Sequence, residues 1–371
     1  MKNFYFERED KTKCNGCGTC TLICPQKCIH MEEDEEGFLY PKIDLDKCIN
    51  CGKCKNICSN NEKNGKIGKA YLAINKDDEE RKRSSSGGMF SLLMKFVIEK
   101  KGVVFGVQYD KELNVIHSSA RTIEECYKFR ESKYVRSLLG DSFLDVKKLL
   151  EQNKYVLFTG TPCQIAGLNT FLGKEYEKLI TCEIICHANP SPKVFSKYKS
   201  ELENIKGKKI VNIHFRSKEN GWRNSTPIIE YQDGEKEEDT LFYIAFIQEL
   251  INRPSCHECV FVGIKRQADF TIGDFWGIEK IKPELDDDRG ISLLLVNSEK
   301  ARNIFQELDL YSEEVNLDLA FSYNHNTNIK PNKNRKQFFR DLNKNKSVIN
   351  LMRKYTKVPI IKRIIRHIKN S

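Results

Sequence analysis

Cys14-Asn-Gly-Cys17-Gly-Thr-Cys20-Thr-Leu-Ile-Cys24, followed by Pro25, is the stretch that decides the fold of the first part of this 371-residue chain. The same spacing returns as Cys48-Ile-Asn-Cys51-Gly-Lys-Cys54-Lys-Asn-Ile-Cys58. Both copies read C-x-x-C-x-x-C-x-x-x-C, and each has glycine beside its second cysteine, where the backbone must turn sharply. The chain therefore contains two copies of one ligand motif.

This repeat is typical of a bacterial-type ferredoxin with two 4Fe-4S clusters, in which the fourth cysteine of each copy serves the other cluster. We expect one cluster on Cys14, Cys17, Cys20 and Cys58, and a second on Cys48, Cys51, Cys54 and Cys24. A zinc site usually takes four ligands in two separated pairs, which does not fit triplets followed by a lone cysteine. Residues 1–62 are thus predicted to be an electron-transfer module. Its hairpin is predicted at 29–31 and 38–40, with Pro41 closing the second strand.

Composition and charge limit the classes of protein. Hydrophobic residues make up 39% of the chain, and no apolar stretch reaches 18 residues, so we expect no transmembrane helix. The first residues are charged and lack an apolar segment of signal length. With cysteines in cluster spacing, this favours a reducing cytoplasm, with the inner face of the membrane as an alternative for peripheral contact.

The positive charge is concentrated at the end of the chain. Between Lys330 and Ser371 there are fourteen Lys or Arg against one acid, Asp341, so this segment carries a net charge of +13. The whole chain carries +10, so the remaining residues sum to −3. Residues 331–371 are predicted to form a basic helical tail. The stretch 358–369 alternates basic and apolar residues, which suits an amphipathic helix on a membrane surface or a helix packed on the body. Nucleic-acid binding is disfavoured, because no aromatic-interleaved basic groove accompanies the tail.

Residues 69–330 are predicted to form the body, after a polar linker at 60–68. Apolar runs at 70–74, 103–107, 155–158, 179–185, 210–215, 228–231, 270–272 and 293–296 read as strands, and helical patterns separate several of them. Ser191 with Pro192 and Ser298 are typical helix starts. The order favours an α+β fold with a mixed α/β body.

Four body cysteines stand in suggestive contexts: Cys163 in Thr159-Gly-Thr-Pro-Cys-Gln164, Cys186 before His187, and Cys256 and Cys259 as a C-x-x-C pair. A pair plus two distant cysteines is a sufficient ligand set for a third cluster or for zinc. Spacing alone leaves cluster, zinc and ordinary buried thiols open. Cys126 lies in a helical pattern and is expected to be a core residue.

Two glycine-containing turns are candidates for contact with a phosphate-bearing cofactor. Ser84-Ser-Ser-Gly-Gly88 directly precedes the helical pattern that starts at Phe90, where backbone N–H groups form an anion site. The alternative is a serine N-cap with no ligand. Thr159-Gly-Thr-Pro lies between a strand and a helix, where α/β sheets bind ligands. A Rossmann or Walker motif is absent from the sequence, so nicotinamide or NTPase sites of those types are unsupported.

Several short motifs resemble one family when they are taken together and in order. The motifs are Ser86-Gly-Gly88, Ser132-Lys-Tyr-Val135, Thr159-Gly-Thr-Pro-Cys-Gln164, Cys186-His187 with Pro190-Ser-Pro192, Phe215-Arg216, Gly221-Trp222, Cys256-x-x-Cys259, Ala268-Asp269 and Gly273-Asp274. With them, the chain resembles the coenzyme F-420 (deazaflavin) hydrogenase/dehydrogenase beta-subunit family, with a ferredoxin module fused in front, over roughly residues 1 to 280.

The resemblance implies an FAD-binding mixed-sheet body with its own 4Fe-4S cluster on Cys163, Cys186, Cys256 and Cys259. The residues that it implies around the flavin are Ser86, Gly87, Gly88, Lys133, Tyr134, Thr161 and Gln164. Lys133 is also a candidate for a catalytic charge, and His187 for a proton carrier. A flavin accepts a hydride and releases electrons singly, so the expected activity is two-electron to one-electron conversion.

Two functional hypotheses follow. The first is an iron–sulfur flavin oxidoreductase that links a hydride-carrying coenzyme or small substrate to a redox partner protein or ferredoxin, in either direction. The second is an electron-transfer subunit that has no substrate of its own and serves a partner enzyme. A cluster-bearing nucleic-acid binder is the weakest alternative.

Overall fold

The computed structural model describes residues 5–7, 9–61 and 65–357. The cysteine repeats lie in a small module built from two short helices and one antiparallel hairpin. Its helices start where Gly18 and Gly52 adopt left-handed backbone angles, directly after the second cysteine of each copy. The elements of this module are α1 Thr19–Ile23, β1 Ile29–Glu33, β2 Leu39–Ile43 and α2 Lys53–Asn56.

The body is organised around an eight-stranded mixed sheet. Its strands in spatial order are β13 Leu310–Val315, β3 Lys69–Asn75, β12 Ser292–Val296, β11 Phe270–Asp274, β7 Leu179–Ile184, β6 Val156–Gly160, β4 Val103–Tyr109 and β5 Val115–Ala120. The central strands β11, β7, β6 and β4 run parallel, and the remaining pairs are antiparallel. The predicted α+β class with a mixed α/β body is therefore confirmed.

Helices cover both faces of this sheet, as the alternation of side chains along its strands requires. Leu157 of β6 packs on one face, in a cluster with Leu93 of α4 Met89–Glu99. Phe158 packs on the other face, in a cluster with residues of α6 Ser142–Glu151 and α7 Pro162–Leu172. The shorter or peripheral helices of this part are α3 Asp78–Arg83, α5 Ile123–Cys126, α10 Ile278–Ile281, α11 Glu299–Glu307 and α12 Leu317–Phe321.

A second sheet, of three antiparallel strands, lies beside the first: β8 Ile210–Ser217, β9 Thr226–Tyr231 and β10 Lys236–Glu238. It shares one core with α8 Pro192–Lys206, α9 Leu241–Ile247, α13 Arg335–Leu342 and α14 Val348–Tyr355. Phe38 and Tyr40 of the cysteine module belong to the same core. The described part of the predicted basic tail is therefore helical and packs on the body, and the helix predicted at 358–369 lies outside the described residues.

Local signals placed most starts of elements correctly. Ser191 and Ser298 cap α8 and α11 through side-chain oxygens that accept from Val194 N and Ala301 N. The prediction that Pro41 closes the second strand of the hairpin was wrong, since β2 continues through Pro41, opposite Met31, to Ile43. Proline is accommodated there because β2 pairs on one side only. None of the described helices combines the length and the apolar character that crossing a membrane requires.

Candidate functional site

The first three cysteines of the first copy lie with the last cysteine of the second copy. The neighbours of Cys20 show this proximity: burial raises the pKa of its thiol, and the charges of Cys17, Cys14, Cys58 and Cys54 add to the effect. Gly16 at φ +69° and Gly18 at φ +75° turn the loop between them, and a Cβ at Gly16 would stand 3.0 Å from Arg253 NH1. Cys58 thus lies near the first three cysteines of the first copy, as the crossed pairing requires, and the pairing itself stays a prediction.

The second copy lies closer to the surface. Burial raises the pKa of Cys54, and the charges of Cys48 and Cys51 reinforce this, while Cys51 itself is exposed. Cys24 reaches this group through Cys28, whose Sγ lies 3.4 Å from Cys24 Sγ. The hydrogen bond to Cys24 and then burial raise the pKa of Cys28 to about 11, with Cys48 contributing. Cys28 is a neighbour of this set that the motif did not indicate.

The four body cysteines come together although they are far apart in sequence. Cys163 lies at the start of α7, Cys186 two residues after the end of β7, and Cys256 and Cys259 in and after a 3-10 turn at Pro254–Glu258. All four line one cavity of about 40 Å³. Burial raises the pKa of the Cys259 thiol to about 12, and the charges of Cys256 and Cys163 add to it.

Among the described residues, no group of three or more His, Cys, Asp or Glu side chains forms a site for a metal ion. The four body cysteines are therefore recognised as a set by the cavity that they line. Thiolates around a 4Fe-4S cluster are held apart by the cluster, so grouping around one space is the relevant criterion.

A cavity of about 440 Å³ opens at the carboxyl ends of the parallel strands β6, β7 and β11. Ligands of α/β sheets typically bind at this edge. Of the residues implied around a flavin, Ser86, Gly88, Lys133, Tyr134, Thr161 and Gln164 line the cavity. Gly87 is not in that lining, because it packs against the sheet, where its N–H donates to Ser292 Oγ and a Cβ would meet Ala73 O at 2.4 Å.

The turns that carry these residues are held by their own side chains. Thr161 and Gln164 form a capping box at the start of α7, with Thr161 N donating to Gln164 Oε1 at 3.0 Å. Gly88, at φ +88°, starts α4, and the first residues of that helix line the cavity. The N-terminus of α4 therefore presents backbone N–H groups to the cavity, as an anion site requires.

Lys133 lies in the wall of the cavity and is half-buried. Its Nζ donates to the carbonyl oxygens of Lys128, at 3.0 Å, and of Arg130. Burial lowers the pKa of Lys133 to about 8, and the charge of Glu131 opposes the shift only in part. This lysine can therefore change its charge near neutral pH.

His187 lies where the two cavities meet. Cys186, His187, Ala188, Asn189 and His325 line both the small cavity and the large one. His187 Nε2 lies 2.6 Å from Glu249 Oε1, and its ring centroid lies 5.2 Å from that of His325. Burial, followed by the charge of His187, lowers the pKa of His325 to about 4, so His325 is neutral at pH 7.

Sequence reasoning assigned no role to Glu249 or His325, and neither lies in a recognisable motif.

The motifs Phe215-Arg216, Gly221-Trp222 and Gly273-Asp274 also had no assigned role, although they meet at one wall. Arg216 NH1 donates to Asp274 Oδ2 at 2.6 Å, and Trp222 Nε1 donates to Asp274 Oδ1 at 2.8 Å. Trp222 stacks on Trp276, which lines the large cavity together with Arg216.

Two segments of the chain match models of known protein families. Residues 153–317 match the family model for the C-terminal region of the coenzyme F420 hydrogenase/dehydrogenase beta subunit, and residues 13–61 match a 4Fe-4S dicluster domain. A chain of the F420-reducing [NiFe] hydrogenase complex from Methanosarcina barkeri is similar in structure, with 18% identity over 79% of this chain and 92% of that chain, and a TM-score of 0.46. The search of curated proteins gave no match. The chain therefore contains one segment that matches a 4Fe-4S dicluster domain and a second segment that matches the C-terminal region of the coenzyme F420 hydrogenase/dehydrogenase beta subunit, and both matches indicate iron–sulfur electron transfer.

Proposed function

We propose that this protein is an iron–sulfur flavin oxidoreductase. It would move electrons between a hydride-carrying coenzyme or substrate, of the deazaflavin type by resemblance, and its ferredoxin-like clusters through FAD. The observation that carries the proposal is the wall of Cys186, His187, Ala188, Asn189 and His325, which the large cavity and the four-cysteine cavity share. A hydride acceptor in one cavity would thus adjoin a one-electron carrier in the other.

The four body thiols have the chemistry of a cluster ligand set. Thiolates are the usual ligands of 4Fe-4S clusters, and the surrounding hydrogen bonds tune the cluster. Asn189 N donates to Cys256 Sγ at 3.4 Å, and Arg136 NH1 donates to Cys163 Sγ at 3.2 Å. Donors of this kind suit sulfur atoms that carry negative charge.

The lining of the large cavity supports the proposal that FAD binds there. The N-terminus of α4 and the cation of Lys133 suit its phosphates, while Tyr134, Phe246 and Trp276 offer flat apolar surface for a ring. FAD would supply hydride acceptance and the release of single electrons. His187, held by Glu249 at the shared wall, is positioned to carry a proton to or from that ring.

The contacts between the two parts of the chain suggest the order of electron transfer. Thr19 Oγ1 donates to Gly167 O at 3.0 Å, and a Cβ at Gly167 would lie 2.9 Å from Cys17 Cβ. The helix that carries Cys163 therefore packs directly on the first cysteine set. The second set, with exposed Cys51, is then the contact point for a redox partner protein or ferredoxin.

Anaerobic purification with iron and flavin analysis tests this function. We expect about twelve iron atoms, from three 4Fe-4S clusters, and one FAD per chain. Cys259→Ser would remove the body cluster and about four of these iron atoms, whereas Cys126→Ser, a buried cysteine of α5 outside the sets, would keep them all. About eight iron atoms and no flavin in the wild type would contradict the proposal.

The main alternative is an electron-transfer subunit without a substrate of its own. Mixing the loaded protein separately with reduced deazaflavin, NADH and NADPH, and following cluster reduction by absorbance, distinguishes the two. Reduction by one of these donors supports the oxidoreductase. If none reduces the clusters while reduced ferredoxin does, the protein is a carrier for a partner enzyme.

A further inference from the structure

Two buried arginines lie between the body cysteine set and the first set of the N-terminal module. Arg136 follows the Lys133 loop and is 7% exposed. Its NH1 donates to Cys163 Sγ at 3.2 Å, and its NH2 donates to Gly16 O at 3.1 Å. One guanidinium thus holds a thiol of the body set and the backbone of the Cys14–Cys17 loop.

Arg253 makes the second link and is 1% exposed. It lines the four-cysteine cavity, and its Nε donates to Cys14 O at 2.9 Å. Its guanidinium carbon lies 4.2 Å from the centroid of the Tyr40 ring. Burial raises the pKa of Cys14 and of Cys256, and the charge of Arg253 acts against that rise at both thiols.

These two arginines differ from the other buried arginines of the described residues in their counter-charge. The others each lie within 4.0 Å of a carboxylate, in the pairs Arg81–Asp287, Arg216–Asp274, Arg266–Glu183 and Arg335–Glu36. Within the described part of the chain, Arg136 and Arg253 have thiol, carbonyl and ring contacts and no carboxylate in that range. A buried cation without a partner costs several kcal/mol, so a nearby anionic group is required.

We propose that Arg136 and Arg253 form a cationic bridge shared by the body cluster and the first N-terminal cluster, and that this bridge raises the reduction potentials of both. The inference rests on the proposed body cluster. A cluster with four thiolate ligands is anionic, and reduction adds another negative charge. A fixed positive charge in a low-dielectric interior stabilises the reduced form more than the oxidised form. The bridge therefore makes the reduction of each of these two clusters more favourable.

The second N-terminal cluster provides an internal reference. Its ligand set is closer to the surface, with Cys51 exposed, and no contact of Arg136 or Arg253 with that set occurs among the described residues. Water and salt screen charges around an exposed site. The potential of this cluster is thus independent of the bridge.

Voltammetry of the full-length, cluster-loaded protein tests the bridge through reduction potentials. In Arg136→Gln we expect the one-electron potentials of two clusters to fall, by about 59 mV or more, which equals a tenfold change in a one-electron equilibrium. The third potential stays in place. Arg136→Lys keeps the positive charge but loses the guanidinium group that donates to both Cys163 Sγ and Gly16 O. The same two potentials should therefore fall by less than in Arg136→Gln. Arg335→Gln, which removes a buried arginine paired with Glu36, leaves all three unchanged.

The outcomes separate this inference from the proposed function. About eight iron atoms in the wild type would overturn both, because no body cluster would exist. Twelve iron atoms with unmoved potentials in Arg136→Gln and Arg253→Gln would overturn the bridge alone. An equal shift of all three potentials would also contradict it, since a local charge acts on its neighbours. If Arg136→Gln loses iron, the reduction potentials of Arg136→Lys are compared with those of the wild type instead. A fall of two potentials supports the bridge, and no fall contradicts it.

Discussion

The charge of Lys133 provides a test of the cofactor cavity that depends on pH. Burial lowers the pKa of this lysine to about 8. If its cation binds the FAD phosphates, affinity is highest below pH 8 and falls as the pH rises and the amine loses its proton. Between pH 7 and pH 9 the protonated fraction drops from about 0.91 to about 0.09. The affinity should therefore fall about tenfold, which corresponds to about 1.4 kcal/mol.

The assay is a titration of flavin-depleted protein with FAD, followed by flavin fluorescence between pH 6.5 and pH 9.5. Lys133→Met should bind FAD less tightly at pH 7 and lose most of the pH dependence. Lys218 needs a control, because burial lowers its pKa to about 8 as well and its Nζ donates to Ser86 O at 2.9 Å. Lys218→Met should retain the pH dependence that comes from Lys133.

Loss of the fold at high pH would not explain the expected fall. The folded state holds Lys133 at a pKa below the ordinary lysine value of 10.5, so it binds fewer protons than the unfolded state between about pH 8 and pH 10.5. The contribution of Lys133 to the free energy of unfolding therefore rises with pH in this window. A flat wild-type profile, or an unchanged profile in Lys133→Met, would refute the role of Lys133 in anion binding.

Three further predictions concern packing and ligand identity. Glu36→Gln leaves Arg335 buried without its carboxylate and should lower the free energy of unfolding by about 3–5 kcal/mol in anaerobic urea titrations. The Glu36→Gln/Arg335→Met double variant should recover much of this loss. Equal losses in the single and the double variant would contradict the ion-pair explanation. Gly87→Ala puts a Cβ 2.4 Å from the carbonyl oxygen of Ala73, so the Ser84–Gly88 turn must move, and FAD affinity should fall tenfold or more with iron content unchanged. Cys28→Ser should keep the full iron content, whereas Cys24→Ser should lose the second N-terminal cluster; iron loss in both would make Cys28 a ligand.

The sequence predicted those parts of the fold whose signals are local. The apolar runs at β6, β7 and β12 are fully or almost fully buried in the sheet, so their composition alone indicated strands. The outer strands β13 and β5 were missed. β13 reads Leu-Tyr-Ser-Glu-Glu-Val and pairs only with β3 at the edge of the sheet, where charged side chains remain in water. Edge strands of this kind resemble polar loops until their partner is known.

The candidate site was predictable to the extent that its residues lie in short motifs. The turns before α4 and α7 were recognisable, because a helix N-terminus after glycine or Thr-Pro is a local anion-binding signal. Gly87 shows the limit of this reasoning: its motif predicts a cofactor contact, which stays a prediction, and close packing on Ala73 and Ser292 by itself requires glycine there. The same sequence signal thus has two physical causes, and only the neighbouring strand decides between them.

Cluster ligands and cluster coupling differ in how much of them is visible in a sequence. The three cysteines nearest one another in each repeat must share a loop, so their spacing carries the signal. Arg136 and Arg253 act across the boundary between the two parts of the chain, and each is tied to the Cys14–Cys17 loop through a backbone carbonyl that any residue supplies. A partner of this kind leaves no pattern in the sequence, since the carbonyl places no demand on residue type. The lack of a nearby carboxylate is what distinguishes these two arginines, and it is found only by comparing the surroundings of each buried arginine in the structure.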